Sequence, residues 1–116
     1  MGFLGDVALK SAIRVSQFNT ALPGAGSAFF TAIAPNNPIS YFHIYVAIAA
    51  AGVLSVKRTV GVTSVSETLS GGGTLTANAG YLFTVPAVTG ESITLTYSVT
   101  SSTILKLLIT EQTGVV

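Results

Sequence analysis

Between Tyr81 and Glu111 the chain reads YLFTVPAV, TGE, SITLTYSV, TSS and TILKLLIT. In the middle run Ile93, Leu95, Tyr97 and Val99 alternate with Ser92, Thr94, Thr96 and Ser98, a period of two with one apolar face and one hydroxyl face. Short polar connections bracket that run, so the pattern predicts a meander of three antiparallel strands. Pro86 has no amide hydrogen to donate, which puts Tyr81–Val88 at a sheet edge or at a bulge.

Upstream, the odd positions Val7, Leu9, Ile13 and Val15 are apolar, while Lys10, Arg14 and Ser16 fall on the even face. This favours a strand; an amphipathic helix using Leu9, Ala12 and Ile13 is the competing reading of so short a run. ALPGAGS (21–27) is a Pro/Gly/Ser breaker that can act as the hinge of an extended arm. SAFFTAIA (27–34) is a short strand candidate ended by the PNNP turn at 35–38. Ile39 to Val56 carries no charge and is followed by Lys57 and Arg58, so a transmembrane helix has to be weighed. His43, two tyrosines, two serines and Gly52 speak against a span, and the β-branched and aromatic Tyr41–Ile48 speaks for a strand. With both faces apolar, that strand reads as buried on two sides, by the core and by an extra layer or a neighbouring subunit.

VLSVKRTV (53–60) and VTSVSETLS (62–70) complete the set, before the loop chemistry of SGGGT and TANAG. Strand candidates thus fall at about 7–17, 27–34, 39–50, 53–60, 62–69, 81–88, 92–99 and 103–111. Eight short strands with Gly/Pro/Ser turns predict an all-β, antiparallel, jelly-roll-like sandwich. Residues 27–116 would form the sandwich, and 1–26 an N-terminal arm or exchanged strand with its hinge. Seven strands plus an arm is the alternative.

Composition changes this picture in one respect. Only 8% of residues are charged, against about 25% in an ordinary soluble domain, and mean hydropathy is +0.70. A folded chain of this size exposes roughly 5,900 Å², so charges would be spaced about one per 650 Å² rather than one per 200 Å². Apolar patches therefore remain outside one small core, and large exposed patches mark interaction surfaces. A net charge of +1 argues against nucleic acid as a partner. Without cysteine, neither disulfides nor thiolate metal sites are available. The first twenty residues do not read as a signal peptide, because Lys10 and Arg14 follow the first apolar residues.

Candidate chemistry is sparse. His43 is the single histidine and shares a strand face with Tyr41 and Tyr45 if the run is extended. A general base needs a positioned partner, and the nearest acids in sequence are Asp6 and Glu67. Asp6, Glu67, Glu91 and Glu111 would have to converge from distant segments to act as a pair or to hold an ion. SGGGT lacks the lysine of a phosphate-binding loop. Lys10, Arg14, Lys57 and Arg58 suit inter-subunit or solvent contacts better than nucleic acid, given no aromatic platform beside them. No catalytic residue, cofactor or metal site is expected.

The residues VLSVKRTVG, SVSETLSGGGTLTANAGYLFTVP and GESITLTYSV give the chain from Val53 onward a resemblance to small β-sandwich proteins that decorate or build viral particles. The resemblance covers about the last 60 residues. It rests on short Ser/Thr-rich strands, glycine turns and sparse charge, which donor-strand filament subunits share. It implies a structural subunit in a virion or other extracellular assembly, and carries over no functional residue.

The expectation is a non-enzymatic subunit that assembles in many copies, as a capsid or decoration protein. Its partners would be copies of itself and another structural protein of the particle, with no membrane. A pilus-like filament subunit and a carbohydrate-binding module are the rivals; the second would stack sugars on Tyr41, Tyr45, Tyr81 or Tyr97. The assembly interface is expected at Val7, Leu9, Ile13, Val15, Tyr41, His43 and Tyr45.

Overall fold

The computed structural model describes residues 11–113; Val7 and Leu9 lie outside them. Seven strands form: β1 (Ser11–Ala21), β2 (Ile39–Ile48), β3 (Leu54–Val60), β4 (Thr63–Thr68), β5 (Gly80–Val88), β6 (Glu91–Tyr97) and β7 (Thr103–Thr113). They build two antiparallel sheets, one of four strands in the order β1-β7-β2-β5 and one of three in the order β4-β3-β6. Apolar residues alternating along β2, β3, β5 and β6, with those of β7 on either side of a bulge, fill the space between the sheets. Phe42, Ile44 and Val46 of β2 and Ile104, Leu107 and Ile109 of β7 come from the larger sheet; Leu54 and Val56 of β3 and Ile93, Leu95 and Tyr97 of β6 come from the smaller. The 39–56 run is thus two strands in different sheets, and among the described residues no helix is long and apolar enough to cross a membrane.

Two expectations are corrected. The runs from Tyr81 to Glu111 do not pair as a meander: β5 and β7 belong to the larger sheet and β6 to the smaller. Each polar connection crosses between layers, and Gly90, at φ 101°, makes the tight β5–β6 passage. Alternation marks a half-buried strand but does not say which sheet it joins.

The expected strand at 27–34 is not one, which leaves seven strands rather than eight. The segment follows the free edge of β6, where Gly26 N–H donates to Tyr97 O, Phe29 N–H to Leu95 O and Ile33 N–H to Ile93 O. Phe29 and Ile33 are four residues apart, whereas their partners are two apart, so the extra residues loop out and no ladder can run. Thr94 Oγ1 donates to Phe30 O inside that gap. Phe29 is buried edge-on to Tyr97, with ring centroids 6.4 Å apart.

As Pro86 implies, β5 is an edge strand, paired on one side with β2. The 21–27 breaker is tied down at both ends, Leu22 N–H donating to Ser102 O and Gly26 N–H to Tyr97 O. Gly52, one of the residues that spoke against a membrane span, is buried beside Tyr97, whose hydroxyl donates to Ala50 O at 2.7 Å. A Cβ at Gly52 would lie 2.7 Å from that ring and 2.9 Å from Val99. Gly52→Ala is therefore expected to lose about 1–3 kcal/mol by overpacking. Urea denaturation reads this, and unchanged stability would mean that the ring moves aside.

Candidate functional site

Cross-strand register assembles the outer face of the larger sheet. Ile13, Thr110, His43 and Thr84 form one row, Ser16, Leu108, Tyr45 and Leu82 the next, and Phe18, Lys106, Ala47 and Gly80 a third. Tyr41 lies between Gln112 and Pro86, and Ile39 is opposite Val88. Leu82 is 75% exposed, Ile13 69% and Phe18 63%, and Ile39, Tyr41 and Val88 are exposed beside them. Among the described residues, Lys106 is the sole formal charge on this face.

Polar groups on the face are occupied with each other. Lys106 Nζ sits 5.7 Å from the Phe18 ring centroid and 5.2 Å from that of Tyr45, within cation–π range of both. Tyr45 lies across Gly80, where a Cβ would come within 2.8 Å of its Cζ; glycine here makes room for the ring. His43 bridges β5 and β7, with Nδ1 3.1 Å from Thr84 Oγ1 and Nε2 2.8 Å from Gln112 Oε1. With the Gln112 carbonyl as acceptor, Nε2 carries the hydrogen, and a neutral ring accepts from Thr84 through Nδ1. Among the described residues, no carboxylate is hydrogen-bonded to this ring. Its neighbours suit a cross-strand tie.

Of the expected interface residues, Ile13, Tyr41, His43 and Tyr45 share this face, whereas Val15 is half-buried against the core. The odd-position pattern breaks because Ile13 pairs with Thr110 and Val15 with Ile109, a β-bulge that leaves Arg14 without an opposite residue. Phe18, Leu82 and Lys106 were missed. They join the face through β1–β7 and β2–β5 pairing, which no local pattern encodes.

The smaller sheet is the opposite in kind. Its outer face has the rows Thr68–Ser55–Thr96, Ser66–Lys57–Thr94 and Ser64–Thr59–Ser92, hydroxyls throughout except for Lys57.

Charge clusters tie the sandwich together. Glu111, 3% exposed, accepts from Arg14, from Asn36 N–H at 2.6 Å and from Ser40 Oγ at 2.6 Å. Arg14 also donates to Ala34 O and covers the Phe42 ring. Burial alone would raise the Glu111 pKa, but Ser40, Asn36 and Arg14 together outweigh it and hold the carboxyl below its ordinary range. Arg58 likewise meets Glu67 at 2.8 Å, Glu91 at 2.9 Å and Pro86 O at 3.0 Å. Arg14 and Arg58 thus serve carboxylates of their own chain, contrary to the inter-subunit or solvent role expected of them. Among the described residues, no three His, Asp or Glu side chains gather as metal ligands.

Neither a protein-family model nor a curated protein matches the chain.

Removing Arg14 leaves the Glu111 carboxylate buried with two of its donors, so Arg14→Met is expected to lose about 3 kcal/mol on chemical denaturation. Because the folded-state pKa of Glu111 is depressed, its contribution is complete above the unfolded value of about 4.3 and is lost as pH falls through the folded value. Glu111→Gln should therefore lower stability at pH 7 and flatten the acid limb of the stability–pH curve. An acid limb as steep as wild type would assign it to other carboxylates.

Proposed function

We propose that this protein is a non-enzymatic structural subunit that assembles in many copies, as a capsid or decoration protein of a virus-like particle. The observation that carries this reading is the outer face of the four-stranded sheet, where Ile13, Phe18, Tyr41, Leu82 and Val88 are exposed around one cation. A monomer facing water gains nothing from that surface, whereas a packed neighbour gains roughly 25 cal/mol per Å² of it buried. The hydroxyl face of the smaller sheet is the side that would remain in water. A second structural protein of the particle is the other partner this arrangement suits.

The jelly-roll reading belongs to this proposal. Partners run β1 with β7, the 26–33 segment with β6, β2 with β5 and β3 with β4. Counting that irregular segment as a strand, the pairs nest as in one long hairpin rolled into two layers, which supports the reading. A filament joined by strand exchange is the second reading, favoured by β1, an N-terminal edge strand linked to the rest by residues 22–38.

The purified chain should run as multi-copy species in light scattering, with closed shells or lattices rather than fibres by electron microscopy. Leu82→Asp, at an exposed site, should shift it toward monomer while changing unfolding free energy by no more than about 0.5 kcal/mol. A wild-type chain that stays monomeric at all attainable concentrations would overturn the assembly reading.

A further inference from the structure

The β3–β4 hairpin carries a second unpartnered apolar patch. Val60, Val65 and Glu67 lie on one side of it, the side that bears the core residues Leu54 and Val56 farther from the tip. Toward the tip the larger sheet no longer covers that side. All six residues of β4 are exposed, Val65 is 56% exposed, and Val62 in the turn is fully so. The hairpin therefore ends in three bare valines with one carboxylate behind them.

That carboxylate is distinctive. Glu111 is buried and Glu91 nearly so, whereas the Glu67 side chain is 52% exposed. Among the described residues Glu67 accepts only from Arg58 Nε, while the same guanidinium reaches both Glu91 oxygens and Pro86 O through its Nη1. Arg58 keeps three contacts if Glu67 turns outward. On the larger sheet Lys106 is the converse: an ammonium held between two rings on an uncharged face, with no carboxylate within salt-bridge distance among the described residues. If a neighbour covered that face without supplying an anion, Lys106 would be a buried unpaired charge, which is strongly unfavourable.

We propose that the occupant of the larger sheet's outer face is the β3–β4 hairpin of a second copy of this chain. Val60, Val62 and Val65 pack against Phe18, Leu82 and Ile13, and Glu67 pairs with Lys106. The contact is head-to-tail: the surface that receives is not the surface that inserts. Repetition therefore gives a ring where the rotation closes and an extended array where it does not. A face-to-face dimer of two larger sheets would instead bring two lysines onto one apolar surface with no acid between them. The inference rests on the assembly reading and specifies its contact.

A charge-reversal cycle tests it. Lys106→Glu and Glu67→Lys, made singly, should each raise the concentration needed for assembly about tenfold or more, because each juxtaposes like charges. The double variant, with the charges exchanged, should recover most of that loss. Circular dichroism and thermal melts of each variant confirm that the sandwich is intact, since an exposed Arg58–Glu67 pair contributes at most about 1 kcal/mol. Independently, carbodiimide coupling of mixed isotope-labelled wild-type chains should link Lys106 to Glu67 between copies. Wild-type assembly unaffected by Lys106→Glu would overturn this contact while leaving the assembly reading standing, and would point to another occupant of the face. Failure of the exchanged pair to recover, with no inter-copy cross-link, overturns it equally. A wild-type chain that does not assemble removes both.

Discussion

The Glu111 carboxylate is buried between β1, β2 and the loop that joins them, and a buried charge must be paired. Arg14 is placed to reach it because β1 spends an extra residue there. That bulge has consequences along the whole strand. Without it Val15 would turn outward beside Leu108; with it Val15 joins the core opposite Ile109, and Phe18 comes out beside Lys106. One ion pair thus sets the register of the edge strand, the composition of one core wall and one corner of the outer apolar surface. It also anchors the loop, through Asn36 N–H and Ala34 O.

Sparse charge takes on meaning once the charges are located. Arg14, Arg58, Glu91 and Glu111 are engaged inside the fold, where they join strands of one sheet, link the two sheets at Pro86 O, or fasten a loop to an edge. Solvation of the smaller sheet is left to serines and threonines, which hydrogen-bond water without the long-range repulsion of like charges. The larger sheet's outer surface has neither device in quantity. An inner face and an outer face of β2 that are both apolar, Phe42, Ile44 and Val46 against Tyr41, Tyr45 and Ala47, make it a central strand with one partner layer in place and room for another.

Close approaches make the two layers fit. Gly52 lets the Tyr97 ring come close against the β2–β3 connection, and Gly80 lets Tyr45 lie across the edge strand toward Lys106. Both are places where the absence of a Cβ, rather than conformational freedom, is what the structure uses. The 26–33 segment runs along the free edge of β6 with too many residues for a ladder, and so covers that edge without becoming a strand.

Strand periodicity, the all-β class and the shared face of Tyr41, His43 and Tyr45 could be read from residue order, because the alternation of side chains is a local property of extended backbone. Pro86, with no amide to give, narrowed β5 to a sheet edge or a bulge, and the pairing with β2 alone shows the edge. Sheet membership could not be read from residue order. Strands β5, β6 and β7 look alike in sequence, and only burial against distant partners separates β6 from the other two. The candidate surface divides in the same way. Its β2 portion follows from parity within one strand, but Phe18, Lys106 and Leu82 come to it through pairing between strands far apart in the chain. Two bulges, at Arg14 and at Leu105, each invert parity for everything beyond them. Period two was settled by the chain itself; which face each residue finally took was decided by a buried carboxylate and by neighbours that only the folded sheets supply.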